Sequence, residues 1–281
     1  AAKEASYEGS ANASTQRAQS ASADERLGTQ WGDEMTSRVT TVDLRRVSAV
    51  PLAQTSVRYA DKAYSGRSIN NISLAAGKIA FSVENDRGRG LGMYRDGSQY
   101  YLKGEAGQAY RLVYRNNSSK TYEIVASVDG LDVINGSRAS RTNGGYVLHP
   151  NQRLVIEGFR KNNNAVAAFI FSKPNDSYAA NTPNGDVNNT GIIGTAVYEL
   201  YDPNARKRPV SRDNDDLDAF PADNGYAPAP PPLHSHIAQR RTQHCRPVKA
   251  QQYYLQHESQ ISHPAPDQTP FPQGHVNLNT L

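Results

Sequence analysis

Residues 107–201 contain short apolar or alternating segments, and each segment is ended by Gly, Asn, Pro or Asp. The segments are AYRLVYRNN, KTYEIVASVDGLDVING, GGYVLHPNQRLVIEGFR, AVAAFIFS and GIIGTAVYELY. Apolar residues that recur at every second position predict β-strands with one buried face. No amphipathic helix of convincing length separates the segments, so the pattern argues against parallel βαβ units, which need helical crossovers. This region therefore predicts antiparallel β-sheet.

Further strand signals precede this region. Residues 38–47 are rich in Val and Thr, and residues 79–83 place Ile, Phe and Val at every second position. Asp96 and Gly97 lie between two aromatic segments, which is a strong signal for a β-hairpin. About ten strands at a spacing of roughly 8–12 residues are typical of a sandwich. We predict an all-β fold, an antiparallel β-sandwich or jelly-roll-like single domain over residues 31–202.

The sequences on either side of this domain differ from it in composition. Residues 1–30 are built mainly from Ala, Ser, Gln, Thr and Glu, and bury too little apolar surface to offset the entropy of ordering. Residues 203–281 are rich in Pro, Gln and His, and the APAPPP run at 227–232 favours polyproline II. We expect a flexible leader and an extended tail, both disordered or ordered by a partner.

Charge and chain features limit the cellular setting. The net charge of +4 comes from scattered cations, so we expect no nucleic-acid partner. Cys245 is the one cysteine, which excludes an intrachain disulfide. The start at Ala1 without Met resembles a chain cut by signal peptidase, so we expect an exported, periplasmic or extracellular protein. No apolar run approaches the ~20 residues of a transmembrane helix.

The pair Asp129 and Asp132 is the sharpest candidate for chemistry. Two carboxylates three residues apart could hold Ca²⁺ or serve as acid and base in a hydrolase. However, Asp129-Gly130 and Asn135-Gly136 are also common turn dipeptides. We favour a turn without a cofactor. The alternative is a Ca²⁺ site at these two carboxylates.

The other carboxylates and His149 are expected to have structural rather than catalytic roles. Glu123, Glu157 and Glu199 are expected to point outward from their strands and to pair with neighbouring Arg residues. His149 belongs to a turn next to Pro150, and we expect it to be structural. No pair of carboxylates suggests the opposed acids of a glycosidase.

Two further groups of residues are candidates for binding. Tyr side chains offer an apolar body with a polar tip, which suits contact with sugars or proteins, and Tyr100 and Tyr101 stand out. A cluster in the tail could hold Zn²⁺ or Cu²⁺ loosely, although its spacing fits no structural zinc pattern. The residues of this cluster are His234, His236, His244 and Cys245.

Several blocks of the sequence resemble a family of exported bacterial proteins to which no activity is attached. They are TYEIVASVDGLDVING, GGYVLHPNQRLVIEGFR, AVAAFIFS, DSYAANT and GIIGTAVYE, and the resemblance spans residues 31–201. The resemblance implies a compact, β-rich exported domain. It implies no cofactor and no functional residue.

Three functions follow as hypotheses. The first is a non-enzymatic structural, surface or assembly module that associates with itself or with an envelope or surface protein through sheet edges and tails. The second is a β-sandwich that binds a glycan or another ligand. The third is a hydrolase with a carboxylate site near Asp129 and Asp132.

Overall fold

Two β-sheets packed against each other form the fold. The computed structural model describes residues 21–205, 216–222 and 225–231. In this part of the chain there are no α-helices, and two short 3-10 helices span Pro174–Asp176 and Val187–Asn189. The all-β sandwich predicted from the alternating segments is confirmed.

The strands are short, as the spacing of turn residues predicts. In chain order they are β1 (Gly28–Thr36), β2 (Val39–Thr41), β3 (Arg45–Arg46), β4 (Ala53–Ala60), β5 (Arg67–Ile69), β6 (Ile72–Leu74), β7 (Ile79–Asn85), β8 (Met93–Asp96), β9 (Gln99–Lys103), β10 (Ala109–Asn116), β11 (Thr121–Val128), β12 (Leu131–Asp132), β13 (Tyr146–Leu148), β14 (Arg153–Ile156), β15 (Gly158–Arg160), β16 (Ala165–Ser172), β17 (Ile192–Tyr201) and β18 (Leu217–Ala219).

The strands divide between a smaller and a larger sheet. The smaller sheet has the order β1-β16-β10-β7-β6, and β14 and β15 pair with β10 and β16. The larger sheet has the order β2-β18-β13-β11-β17-β4-β9-β8-β5, and β12 and β3 pair with β11 and β17. The named pairings are antiparallel except β18 with β2 and β4 with β9, which are parallel. The larger sheet is therefore mixed rather than purely antiparallel.

The main core lies between the two sheets. The smaller sheet contributes Phe81 and Tyr114, whose rings stack with centroids 4.6 Å apart. The larger sheet contributes side chains such as Ile124 and Val197 to the same buried cluster. The hydroxyl of Tyr114 crosses the core to bond with Thr195 Oγ1 at 2.7 Å. This bond satisfies two buried polar groups that would otherwise weaken the core.

Two local predictions are confirmed. The apolar segment at 165–172 forms β16, and all of its residues except Ile170 are buried. The predicted hairpin joins β8 to β9, where Asp96 pairs with Gln99 across a two-residue turn. Gly97 in that turn has a φ of 57°, which glycine adopts without steric cost.

The sheets extend beyond the predicted limits of 31 and 202. Leu27 is buried, and β1 begins at Gly28. Strand β18 lies in the region predicted to be tail, and it pairs with both β13 and β2. Ala227 is buried, and its N–H donates to the carbonyl oxygens of Ile134 and Arg160. These segments contain too few residues to show a periodic pattern.

Glu123 lies on the outer side of β11, as predicted, but it is buried rather than solvated, and its partner is Arg46 rather than Arg111, Arg153 or Arg160. Its side chain is 1% exposed and receives Nε and Nη2 of Arg46 at 2.5 and 2.9 Å, together with the N–H of Gly145 at 2.8 Å. Burial of a carboxylate is tolerated because these donors compensate for the lost water. By contrast, Glu199 is more exposed and pairs with Lys120 at the surface.

The predicted leader and tail lie largely outside the described residues. The same is true of His234, His236, His244 and Cys245. Within the described residues, no helix has the length and apolar character needed to span a bilayer.

Candidate functional site: a polar trough on the larger sheet

A trough runs over the outer face of the larger sheet, on the side away from the main core. It consists of two adjoining hollows of about 510 Å³ and about 470 Å³. Ser127, Ala139 and Gly194 line both hollows, so the two adjoin. Concave sites of this size are where proteins bind small molecules and oligomers.

Strands β4, β17 and β11 form the floor of the trough. Gly194 pairs with Ser56 on one side and with Ser127 on the other, so these three residues lie in one row across the sheet. Gln54, Ala196 and Val125 form the next row. Because side chains alternate between the faces of a strand, the row on the other side of Gly194, formed by Val57, Ile193 and Val128, enters the main core. The alternation of side chains on these three strands therefore supplies both the main core and the floor of the trough.

Small side chains on β17 create the depth of the trough. A Cβ atom at Gly194 would lie 2.5 Å from Ser127 Oγ, so a larger residue here would displace a floor side chain. Ala196 is the next outward residue on the same strand and is also small. The outer face of β17 is thus recessed between its neighbours.

Three loops form the walls. The β8–β9 turn contributes Ser98 and Gln99 on one side, and the loop over residues 138–141 contributes the other side. The far end is closed by residues 184–189 around the second 3-10 helix.

The loop over residues 138–141 is held in place by its backbone. The carbonyl oxygen of Arg141 accepts hydrogen bonds from Arg46 Nη1 and from the Tyr198 hydroxyl, each at 2.9 Å. The N–H of Ala139 donates to Gly130. This wall of the trough is therefore preformed.

Asp132 is one of two predicted site residues that line the trough. It is 2% exposed, and its Oδ1 accepts the N–H groups of Ile134 at 2.9 Å and Asn135 at 3.0 Å. Burial raises the pKa of Asp132, and these hydrogen bonds act in the opposite direction. Its first role is thus to cap the turn that follows β12.

Asp129 lies away from the trough lining. It begins the turn between β11 and β12, where Asp129 and Gly130 have φ values of 54° and 76°. Two central residues with positive φ are typical of a type I′ hairpin turn, so the predicted turn is confirmed. The carboxylate then accepts hydrogen bonds from Thr29 N at 2.7 Å, Tyr59 OH at 2.6 Å and Gly191 N at 2.8 Å.

The protonation of Asp129 is set by its burial. Desolvation raises the pKa of Asp129 to about 7, although the hydrogen bonds from Tyr59, Thr29 and Gly191 oppose this shift. A carboxyl group with such a pKa would suit acid–base catalysis if substrate could reach it. Asp129 is only 1% exposed and its oxygens face N–H and O–H donors, which suits a structural centre better than a Ca²⁺ or hydrolase site.

Tyr100 and Tyr101 lie on opposite faces of β9. Tyr100 lines the trough and also packs against the main core. Tyr101 is buried in a second cluster, where its ring stacks on Tyr64 with centroids 4.9 Å apart. The structure therefore brings Tyr100 and Asp132 to the same hollow and leaves Tyr101 and Asp129 elsewhere.

His149 contacts a carboxylate of a neighbouring strand. The His149 Nε2 lies 2.8 Å from Asp218 Oδ2, which links β13 to β18. Across residues 21–205, 216–222 and 225–231, no three His, Cys, Asp or Glu side chains are grouped as metal ligands would be.

Sequence reasoning missed the floor residues and the two arginines of the loop wall, Arg138 and Arg141. Ser56, Ser127 and Gly194 come from three strands that are distant in sequence, so their grouping depends on the register of the sheet. The sequence signal for the floor is a small or polar residue at Ser56, Ser127 and Gly194, each next to core-facing apolar residues of its strand.

Comparisons with known proteins add no relative. No protein-family model, no curated protein and no solved structure matches this chain. The resemblance to an exported bacterial family therefore stays a prediction.

Proposed function

We propose that this protein is a non-catalytic binding module that holds a hydroxyl-rich ligand of the oligosaccharide class in the trough. The observation that carries the proposal is the composition of the trough. Its lining is dominated by hydroxyl, amide and small side chains rather than by large apolar ones.

The chemistry of the lining suits sugars. Ser and Thr hydroxyls can both donate and accept, and Gln and Asn amides offer donors and acceptors side by side. The lining provides such groups on the floor at Ser56 and Ser127 and on the walls at Gln99, Asn184 and Asn189. A sugar ring presents the matching pattern of hydroxyl groups over a flat body. Two adjoining hollows of about 510 Å³ and about 470 Å³ leave room for more than one ring.

The hydrolase alternative is less well supported by the same residues. Asp132 is the predicted carboxylate that lines the trough, and its Oδ1 is engaged by two N–H groups. A glycosidase needs a second carboxylate across the scissile bond, and Asp186 caps the 3-10 helix through Asn188. Self-association through edges and tails, and an exported location, stay predictions.

The proposal is tested by blocking the floor of the trough. Ser56 is exposed on β4, and Ser56→Trp would place a large ring over the row of small side chains. We expect at least a tenfold loss of affinity for the oligosaccharides that the wild-type chain retains on a glycan array.

The matched control is Ser73→Trp, which makes the same change at an exposed position of β6 in the smaller sheet. Binding should persist in this control. Equal binding by both variants, or no glycan binding by the wild type, would contradict the proposal.

A further inference from the structure

Four charged residues line the trough. The two acids accept hydrogen bonds from the protein, whereas the two arginine side chains have no partner among the described residues. The four residues are Asp132, Asp186, Arg138 and Arg141. Charge that is already engaged by the protein contributes little to a ligand, whereas a free guanidinium offers five donors in a fixed fork. The state of each group therefore indicates which ligand charge the trough can accept.

Both acids are used within the protein. Asp132 is buried and caps the turn after β12 through two backbone N–H groups. Asp186 Oδ1 accepts from the N–H and from the side-chain amide of Asn188, each at 2.9 Å. In each acid, Oδ1 is thus occupied by donors of its own loop.

Both arginines are exposed and unengaged at their guanidinium ends. Among the described residues, neither Arg138 nor Arg141 makes a side-chain hydrogen bond or an ion pair. Their backbone is nevertheless fixed, because the Arg141 carbonyl is held by Arg46 and Tyr198 and Arg138 bridges to Leu131. A rigid backbone therefore carries two cations on one wall that have no partner among the described residues.

We infer that the ligand in the trough is an acidic oligosaccharide, whose carboxylate groups pair with Arg138 and Arg141. This inference rests on the proposed function and specifies its ligand class. Guanidinium groups bind carboxylates through two parallel hydrogen bonds, which gives both affinity and orientation. The hydroxyl and amide groups of the floor would hold the neutral part of each sugar ring.

The test compares each acidic polymer with a counterpart whose carboxylate groups are esterified or reduced. The probes are polygalacturonate with its methyl ester, and alginate and hyaluronan with their carboxyl-reduced forms. We expect the wild-type chain to bind at least one acidic member about tenfold more tightly than its neutral counterpart. Added salt should weaken the acidic complex and leave the neutral complex unchanged.

The variant Arg138→Gln with Arg141→Gln should remove this preference and its dependence on salt. The control is Arg87→Gln with Arg89→Gln, which removes two exposed positive charges from the turn after β7. This control changes net charge equally and should retain the preference.

Three results can be told apart. Loss of the acidic preference in the trough variant alone supports the inference. Equal binding of acidic and neutral polymers, or a preference that survives in the trough variant, overturns the inference and leaves the proposed function standing. Absence of binding to every probe and to a glycan array removes both.

Discussion

The carboxylate of Asp129 accepts the backbone N–H of Thr29 at 2.7 Å, although the two residues are one hundred positions apart in the chain. When Asp129 is ionised it accepts a hydrogen bond from the Tyr59 hydroxyl, so Thr29 Oγ1 donates to Tyr59 and accepts from Tyr110. A chain of hydroxyl groups thus ends on one buried acid. It ties β1 and β10 of the smaller sheet to β4 and to the β11–β12 turn of the larger sheet.

Asp129 should make the stability of the protein depend on pH. Because its pKa rises from 3.8 unfolded to about 7 when folded, the folded state binds more protons between those values. The free energy of unfolding should therefore fall as pH rises from 4 to 7, by an amount on the order of a few kcal/mol. Urea unfolding across this range measures the slope.

Asp129→Asn removes the titrating group and is the variant for comparison. Its unfolding free energy should vary less with pH than that of the wild type. A residual slope of the same sign is expected, because burial also raises the pKa values of Asp132 and Glu157. Identical slopes in the two proteins would show that Asp129 does not carry the effect.

Gly158 is expected to tolerate no side chain. A Cβ atom here would overlap the carbonyl oxygen of Ala167 on the paired strand β16, and backbone atoms cannot move aside as a flexible side chain can. Gly158→Ala should therefore lower the free energy of unfolding by at least ~2 kcal/mol.

The matched change is Gly90→Ala, where a Cβ atom would meet no atom within 4 Å. Thermal unfolding of both variants decides the question. If Gly158→Ala were as stable as Gly90→Ala, the steric explanation would be contradicted.

Local patterns in the sequence predict the strands that have one buried face over several residues. β10, β11 and β17 each span at least eight residues, so alternation or an apolar run is visible without knowledge of their partners. β18 has three residues, and its assignment depends on pairing with β13 and β2. No local pattern can supply that information.

The burial of Glu123 and the floor of the trough could not be predicted either, because both depend on contacts between residues that are distant in sequence. Arg46, which compensates for the buried charge of Glu123, is 77 positions away in the chain. Ser56, Ser127 and Gly194 become neighbours only through the register of three strands. Turns such as Asp129-Gly130 were predictable because their chemistry is contained in two residues.

Arg46 should support both stability and the wall of the trough. Its guanidinium bonds to the buried Glu123, lies 3.9 Å from the centre of the Tyr198 ring and donates to the carbonyl oxygens of Arg141 and Asn143. Arg46→Met keeps much of the apolar stem but leaves Glu123 buried without its counter-ion. Breaking a buried pair in this way should cost about 3 kcal/mol of unfolding free energy.

Lys120→Met is the control, because Lys120 is 61% exposed and its ion pair with Glu199 lies at the surface. It should change the free energy of unfolding by less than about 1 kcal/mol. Urea unfolding compares the two variants, and equal costs would show that the Glu123 pair is no stronger than a surface pair. Because the loop over residues 138–141 loses a backbone anchor only in Arg46→Met, that variant should also weaken oligosaccharide binding where it still folds.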